Sequence, residues 1–555
     1  MDPVHASETS SVTQADAVVD VALNEKDEKS EAAAQFENTA ADGRQYLTED
    51  QCYDKLGYSF SETRKWAIIM VIFAVQTSMN FNTSLYSNAL NGISEKYGVS
   101  MQGARCGAMI FLVLYAFGCE LWAPWSEELG RKPILQASLF LVNVFQFMVG
   151  FAPNFATLMV GRALGGLSSA GGSVTLGMIA DLWEADSQQY AVACVVFSSV
   201  GGSVLGPVVG GFVEAFVSDW RWCIWIQLIF GAVVQALHWW IVPETRSTVM
   251  MNNIAKKMRK SGENPDIYGP TEGISFRERF PLRNSSTPGD ALIFMFVQSL
   301  SLVYGQWGFN TWQQGLAFLP ILVGYFIAWF SFIPVIKRNI KERADNPNSE
   351  RAQYESRLWW LLYTAPLLPI GLIGFAWTSL PQCHWIGSMI FAALIGIANY
   401  SIYMATIDYM ICAYGPYSAS ATGGNGWSRD FLAGVLTIPA TPFFNNIGGK
   451  YHLEYASTIL FCIAIPLVVA VYVIYWKGPV LRKRSPFAQQ LADAQHEMGT
   501  QSRRVSKVPA VSRAHSYARS QQDLRIQQMG GSRAGSRANS RANSRANSRR
   551  NSIDA

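Results

Sequence analysis

Residues 201–212 read GGSVLGPVVGGF, an uncharged stretch with five glycines and one proline. Glycine and proline both disfavour a helix interior, yet the stretch ends an apolar segment, residues 191–212, that is long enough to cross a membrane. Gly202, Gly206 and Gly210 are four residues apart and lie near one helix face, where small residues let backbones approach closely. Pro207 removes a backbone hydrogen bond and bends the helix locally. We interpret this face as a surface that flexes against a neighbouring helix; close packing alone is the alternative.

The whole composition is that of a membrane protein. Of 555 residues, 50% are hydrophobic and 15% are charged, whereas soluble domains contain about 25% charged residues. The charges crowd both ends and a few loops, and the apolar stretches between them predict twelve membrane spans. The expected spans are 66–87, 106–123, 133–151, 156–178, 190–213, 222–242, 291–306, 315–336, 358–378, 385–411, 417–443 and 455–476.

A long polar stretch divides the spans six and six. We therefore expect an all-α polytopic protein with two six-helix bundles, 66–242 and 291–476, joined by a cytoplasmic linker, 243–290. Residues 1–65 are polar and acidic and predict a disordered arm, and residues 477–555 predict a disordered basic tail with SRAN repeats. A kinase is an expected partner of that tail, because an arginine precedes Ser536, Ser540, Ser544, Ser548 and Ser552 by three residues. Attachment to anionic lipid or no function at all are the alternatives.

Lysine and arginine are concentrated in alternate loops, which lie on the same side of the membrane as both termini. The positive-inside rule therefore predicts that both termini and the linker are cytoplasmic, and we expect a multi-pass protein of the plasma membrane, although an internal membrane is the alternative. The sequence Ile-Ala-Asp181 at the end of span four resembles Thr-Ile-Asp408 at the end of span ten. The next span begins ten residues after each aspartate, which indicates two related halves. We interpret both aspartates as helix-end anchors.

Charges inside spans are costly and usually face a cavity or a partner. Arg162 lies inside span four and Glu120 inside span two, and we predict that both take part in proton coupling. A charge bonded to backbone carbonyls is the alternative for Arg162, and a salt bridge to the loop at Arg131 and Lys132 is the alternative for Glu120. Arg429 and Asp430 are expected in or near the start of span eleven.

Polar and aromatic residues interrupt spans one, seven and ten, where they predict a path for a small-molecule substrate; bonding between helices is the alternative. The candidates for this path are Gln76, Asn80, Gln298, Tyr304, Asn399 and Tyr403, accompanied by Asn82 and Tyr400.

Several functions are excluded by missing motifs. The sequence has no P-loop, H-E-x-x-H or G-x-S-x-G motif, so neither ATP hydrolysis nor a familiar hydrolase activity is expected. Its eight cysteines are scattered without a CxxC pair, which favours buried apolar filler over a metal site. We expect no enzyme, no cofactor, no metal and no nucleic-acid partner; the partners are the bilayer, protons and a small-molecule substrate.

Three motifs resemble those of the major facilitator superfamily, specifically its twelve-span drug:proton antiporters of the fungal multidrug-resistance type. Gly202, Gly206, Pro207, Gly210 and Gly211 match the antiporter motif G-x-x-x-G-P-x-x-G-G at every fixed position. Residues 158–162 match the fourth-span motif, whose arginine is implicated in proton transfer. The resemblance implies a proton-coupled exporter of drugs, toxins or secondary metabolites that works by alternating access.

The loop between spans two and three, residues 122–132, matches a third motif with departures. Glu127, Gly130, Arg131 and Lys132 retain its acid–Gly–Arg core, which implies a conformational latch. Ala123 and Glu128 replace a glycine and an arginine, and Glu127 itself stands in place of the family's aspartate.

Span seven is short, with apolar residues only from about Ala291 to Gly305. Either a shortened, tilted helix suffices here or the sequence reflects a faulty gene model. Two other functions stay open: proton-coupled uptake of a nutrient or polyamine, and a non-transporting membrane sensor.

Overall fold

The computed structural model describes residues 45–483 except 170, 184–186, 218, 263–264, 273–290, 347–348 and 415–417. Residues 1–44, most of the basic tail with its candidate kinase sites, and part of the linker lie outside the described residues. Up to Leu481 the chain belongs to one compact unit; of a second unit, Arg482–Ala555, only two residues are described.

The described residues are almost entirely helical, which confirms the predicted fold class. Twelve principal helices follow the predicted spans: α1 Glu62–Leu85, α2 Met101–Leu129, α3 Arg131–Gly150, α4 Phe155–Leu167 continued by Gly171–Leu182, α5 Gln189–Phe216, α6 Arg221–Ile241, α7 Ala291–Gly305, α8 Leu319–Asp345, α9 Leu367–Thr378, α10 Trp385–Tyr414, α11 Ser418–Asn446 and α12 His452–Lys483.

Ten helical segments within the described part of the chain are long and apolar enough to cross a membrane. The two predicted spans that do not qualify are the seventh and the eleventh. The α7 helix has 15 residues, as expected for a shortened span, and it follows directly on residues outside the described part. The α11 helix has 29 residues but is interrupted by polar side chains, among them Arg429 and Asp430. These two residues lie in the middle of α11, within the predicted span.

Short elements connect the principal helices. They are the α-helices Glu49–Cys52, Leu90–Tyr97, Ser247–Ser261, Thr311–Leu316, Glu350–Gln353 and Leu361–Thr364, the 3-10 helices Tyr53–Lys55, Gly57–Ser59, Tyr86–Ala89, Glu355–Leu358 and Gly449–Tyr451, and the strands β1 Gln45–Tyr46 and β2 Ile267–Tyr268.

The last part of the N-terminal arm is folded, which corrects the prediction of disorder for residues 45–61. Strand β1 pairs in parallel with β2 of the linker, and Leu47 and Leu56 are buried with Met251 of the linker helix Ser247–Ser261 in a small apolar cluster. Burial of these side chains supplies the free energy that orders the segment. In the linker itself, a hydrogen bond from Arg259 lowers the pKa of Glu272 below its usual value.

The glycine stretch 201–212 lies within one uninterrupted helix, α5, with Pro207 inside it. The face that carries Gly202, Gly206 and Gly210 packs on α1 and the chain that follows it in the same half. A Cβ atom at Gly202 would lie 2.7 Å from the carbonyl oxygen of Thr77, and one at Gly206 would overlap Ser84. The missing side chains therefore let α1 and α5 pack backbone against backbone.

The opposite face of the same stretch packs on the other half of the chain. A Cβ atom at Gly315 would lie 2.6 Å from the carbonyl oxygen of Pro207, and one at Gly211 would lie 2.8 Å from that of Thr311. Pro207 and Gly211 therefore belong to the seam between the halves, whereas Gly202, Gly206 and Gly210 belong to a contact within one half. The face that we predicted to flex therefore meets a helix of its own half at Gly202 and Gly206, and its flexing stays a prediction.

We predict that Gly206→Ala destabilises the protein, because the new methyl group coincides with Ser84 in a contact that has no room to relax. Overpacking of this kind costs about 1–3 kcal/mol. The matched control is Gly165→Ala, whose Cβ would meet its nearest neighbours at ordinary distances of 3.7 and 3.8 Å. Thermal unfolding of the purified variants in detergent measures the effect; equal unfolding temperatures for both variants would contradict it.

Candidate functional site

A cavity of about 460 Å³ lies between the two halves of the chain. Helices α1, α2 and α5 form one side, and α7, α8, α10 and α11 form the other. Its polar lining consists mainly of amide and hydroxyl side chains: Asn80, Thr83, Ser84, Ser87, Asn88, Asn91, Ser199, Ser203, Gln298, Ser301, Thr311, Gln314, Tyr325, Asn399, Tyr403, Thr437 and Thr441. Ser87 and Asn91 are exposed, so the cavity reaches solvent at the end where α1 stops and α2 begins.

Four of the six residues predicted for the substrate path line this cavity: Asn80, Gln298, Asn399 and Tyr403. Two of them also join helices, since Asn399 donates a hydrogen bond to Tyr325 at 2.9 Å and Gln298 to Thr437 at 3.2 Å. The cavity therefore has a fixed polar lining within the second half.

The other two predicted path residues lie outside the cavity lining. Gln76 is fully buried; its amide nitrogen donates to Ser199 at 3.1 Å and its oxygen accepts from Thr175 at 3.0 Å. Tyr304 accepts a hydrogen bond from Ser388 at 3.2 Å. Both side chains connect helices within their own half, which is the alternative that the sequence left open.

Arg162 is buried behind the cavity wall, among α1, α2 and α4. Its Nη1 donates to Asn82 at 3.2 Å and its Nε to the carbonyl oxygen of Gly107 at 3.3 Å. The guanidinium also lies over the rings of Tyr86 and Phe111, 4.4 and 4.1 Å from their centroids. No carboxylate of the described residues forms an ion pair with it, and its Nη2 has no hydrogen-bond partner among them. Arg162 is thus a buried cation stabilised by dipoles and aromatic faces alone.

Glu120 is half-buried on α2 and is not part of the cavity lining. Within the described part of the chain it forms no ion pair with Arg162, with Arg131 or with Lys132. The structure therefore does not join the two predicted proton-coupling residues in one hydrogen-bonded group.

The opposite end of the bundle, where α2 ends and α3 begins, is rich in basic residues, and we call it the basic end. Here Arg131 is fully buried, and its Nε donates to Asp181 at 2.8 Å. Arg246 pairs with the other oxygen of Asp181 at 3.4 Å and also donates to the backbone oxygen of Glu127. One aspartate therefore ties the end of α4 to the start of α3 and to the linker.

Glu244 completes this arrangement from the chain that follows α6. Its carboxylate accepts hydrogen bonds from the backbone amides of Arg131 at 2.9 Å and Lys132 at 3.2 Å, which are free because they begin a helix. Gly130 stands before them with a φ of 107°, and a Cβ there would overlap the Glu244 carboxylate. Only glycine fits both this backbone conformation and this close approach.

The second half contains a similar arrangement around Asp408 at the basic end of α10. Arg357 donates to Asp408 at 2.7 Å, as Arg131 does to Asp181. Asp408 also accepts hydrogen bonds from Gln188 at 3.3 Å and Gln189 at 2.6 Å, where α5 begins in the first half. The resemblance between residues 179–181 and 406–408 in the sequence thus corresponds to equivalent ion pairs in space. Asp408, however, connects the two halves and is more than the helix-end anchor that we expected.

Glu127 makes the reciprocal connection from the first half to the second. Its two carboxylate oxygens accept hydrogen bonds from the backbone amide of Ser420 at 2.9 Å and from its hydroxyl at 2.8 Å. Ser420 lies in the first turn of α11, where amides have no intrahelical acceptor and the helix dipole favours an anion. Tyr400 adds a third contact between the halves by donating to the backbone oxygen of Ala193 at 2.8 Å. The halves are therefore bonded together at several points of the basic end. At the other end, where the cavity reaches solvent, Gln102 of α2 donates across the seam to the backbone oxygen of Ile438 at 2.6 Å.

Sequence reasoning found Glu127, Gly130, Arg131 and Lys132 but missed most of their partners. Glu244, Gln188, Arg357 and Ser420 carry no motif in the sequence analysis that marks them. The repeated aspartate was the one signal that pointed to the second arrangement.

Comparison with known proteins agrees with this architecture. The family model described as Major Facilitator Superfamily matches residues 72–436. The chain is a member of the major facilitator superfamily. The MFS-type transporter acdC of Aspergillus candidus is 30% identical over 458 residues, covering 77% of this chain and 88% of that protein. The MFS-type transporter kojT of Aspergillus flavus is 28% identical over 454 residues, covering 77% and 79%.

A solved structure of the MFS proton:xylose symporter XylE, bound to 6-bromo-6-deoxy-D-glucose, shares the fold with a TM-score of 0.50 at 13% sequence identity and covers 75% of this chain and 96% of that one. The expected family is confirmed, and the chain is an integral, multi-pass membrane transporter rather than an enzyme.

We predict that Glu127→Ala loosens the closure at the basic end, because it removes two hydrogen bonds to a charged acceptor, worth about 1.5–3 kcal/mol each. A cysteine at the buried position Ser418, in an otherwise cysteine-free chain, reports the change through its rate of reaction with a maleimide. We expect that rate to rise about tenfold or more, since 1.4 kcal/mol corresponds to a factor of ten.

The matched control for this experiment is Glu128→Ala, because Glu128 makes no hydrogen bond or ion pair with any other described residue. It should leave the labelling rate unchanged. Equal rates in the two variants would show that Glu127 does not hold the halves together.

Proposed function

We propose that this transporter exports small organic compounds in exchange for protons, and that residues 66–242 and 291–476 rock against each other as two halves. The observation that carries the proposal is a cavity between the halves that reaches solvent at one end and is closed by bonds between the halves at the other. Alternating access requires such a one-sided cavity. We place both termini and the basic end in the cytoplasm of a plasma-membrane protein, so that this conformation faces outward.

The chemistry of the lining favours amphipathic compounds that are rich in oxygen. Amide and hydroxyl groups alternate with apolar side chains such as Leu112, Val200 and Phe318, and charged side chains of both signs, Arg105, Glu214 and Arg429, also face the cavity. Pockets of this kind bind by apolar contact and use a few polar groups to orient the ligand.

For coupling, we keep Arg162 and Glu120 as candidates. Arg162 is the stronger of the two because it is a buried cation, 1% exposed, without a carboxylate partner among the described residues. It contacts Asn82 of α1 and Gly107 of α2, and both of these helices also form the cavity wall. A change in its surroundings during the transport cycle would therefore reach the cavity through two helices.

A compound screen tests the function directly. Cells that lack their own broad exporters are compared with the same cells expressing this chain, and the cellular content of each compound is measured at two external pH values. An exporter lowers the content of some compounds, and more strongly at the lower external pH. Higher content of a nutrient or polyamine would instead show uptake. A sensor would leave the cellular content of every compound unchanged. It would produce a signalling response of the cells that is lost on deletion of residues 490–555.

We predict that Arg162→Ala abolishes export, because it removes the buried cation that contacts α1 and α2, and that Arg162→Lys retains part of it. Efflux rate and membrane abundance are measured together, with Arg64→Ala, at an exposed site on the basic end, as the control. Normal efflux by Arg162→Ala at normal abundance would remove this residue from the mechanism.

A further inference from the structure

Two oppositely charged side chains lie next to each other in the middle of α11, far from both ends of the bundle. Arg429 comes eleven residues after the helix begins at Ser418, which places it about 17 Å along the helix at 1.5 Å per residue. Both side chains are buried, with Arg429 8% and Asp430 2% exposed. Ionisable groups at such a depth are expensive to insert and indicate a function.

Arg429 and Asp430 form a two-point ion pair. Nε of Arg429 donates to Oδ1 of Asp430 at 3.0 Å, and Nη2 donates to Oδ2 at 3.1 Å. Successive residues do not face each other on a helix, so both side chains have to turn toward one another to make this contact. The attraction between the two opposite charges therefore fixes the orientation of both the Arg429 and the Asp430 side chains.

The two members of the pair face different surroundings. Arg429 is part of the cavity lining, and its guanidinium lies 4.9 Å from the ring centroid of Tyr403. Asp430 is not part of the lining. Its Oδ2 lies 3.9 Å from where a Cβ of Gly426 would be, and the same point is 3.7 Å from Sγ of Cys119 on α2. The carboxylate therefore lies close to α2 at the seam between the halves.

Few other groups among the described residues interact electrostatically with Asp430. The titratable side chains of the described residues that interact electrostatically with it are Tyr115 and Cys119 on α2, with Tyr403 of α10 close to the pair, and Arg429 on its own helix. Arg429 is the cation among them. The protonation state of Asp430 therefore determines whether the Arg429 guanidinium is paired with it.

We propose that Asp430 is the carboxylate that binds the exchanged proton and that Arg429 transmits this event to the cavity, which rests on the proposed proton-coupled export. A proton from water in the cavity adds to one oxygen of Asp430 and gives a neutral acid. The guanidinium of Arg429 keeps its charge, loses its partner and turns into the cavity. There it occupies space and hydrogen-bond acceptors that a substrate uses, so proton and substrate exclude each other. Loss of the proton returns Arg429 to Asp430 and frees the cavity.

The test is infrared spectroscopy of the purified full-length protein in lipid, with the proton itself as the ligand. Lowering the pH from about 9 to about 4, a range around the ordinary carboxyl values, should produce the carbonyl band of a protonated acid. The part of this band that comes from one carboxyl group should be missing in Asp430→Asn and present in Asp430→Glu, so the band of Asp430 is the difference between the titrations of the unmodified protein and the variant. Asp408→Asn is the matched control, since Asp408 is an equally buried aspartate paired with arginine but lies at the basic end, and it should keep the band.

A second variant, Arg429→Gln, tests the coupling within the pair. Removal of the cation should move the midpoint of the Asp430 band to higher pH by about 1–3 units. Identical titrations of the unmodified protein and Asp430→Asn, or an unmoved midpoint in Arg429→Gln, would overturn the proposal. Because the band reports one carboxyl group and not transport, export that depends on pH without this band would refute the inference alone. A titrating band in a protein that exports no compound would refute the proposed function alone.

Discussion

A charge buried in a helical bundle within a membrane is stable only when a partner stands next to it, and most of this architecture follows from that requirement. Two buried arginines at the basic end, Arg131 and Arg357, each face an aspartate at the end of the fourth helix of their half. Since these pairs fix the ends of helices, the carboxylates beside them are held where they reach the opposite half. Glu127 meets the first turn of α11, and Asp408 meets the first turn of α5. The buried Arg–Asp pairs thus position the carboxylates that join the two halves at the basic end.

The same requirement identifies the exceptions. Arg162 has dipoles and aromatic rings around it but no carboxylate partner among the described residues. Arg429 has a partner, but that partner lies beside it on the same helix and faces the seam, while Arg429 itself faces the cavity. A pair of this kind can be opened by one proton without unfolding a helix, in contrast to Arg131 and Asp181, which hold several segments together.

The helices follow from apolar length, because the bilayer imposes that length on the sequence. The repeated aspartate indicated that the two halves are related. The glycine stretch was identified as a close-packed face, but the sequence does not say which neighbour each glycine meets. Gly206 meets α1 in its own half, whereas Gly211 meets the other half. Likewise, Gln76 and Asn80 are four residues apart on one helix, yet only Asn80 lines the cavity. Such distinctions depend on helix rotation, which periodicity alone does not fix. The order of residues 45–61 was missed because its apolar partners lie some 200 residues away, in the linker.

In the transport cycle that we propose, the two ends of the bundle open and close in opposite directions. Pairs of spin labels at Leu129 and Glu342 across the basic end, and at Asn91 and Thr311 across the other end, measure this in lipid by pulsed electron resonance. In a variant that lacks both Glu127 and Asp408 carboxylates, we expect the distance at the basic end to lengthen while the distance at the other end shortens. Lengthening at the basic end with no change at the other would contradict it, because the halves would then not move as rigid bodies.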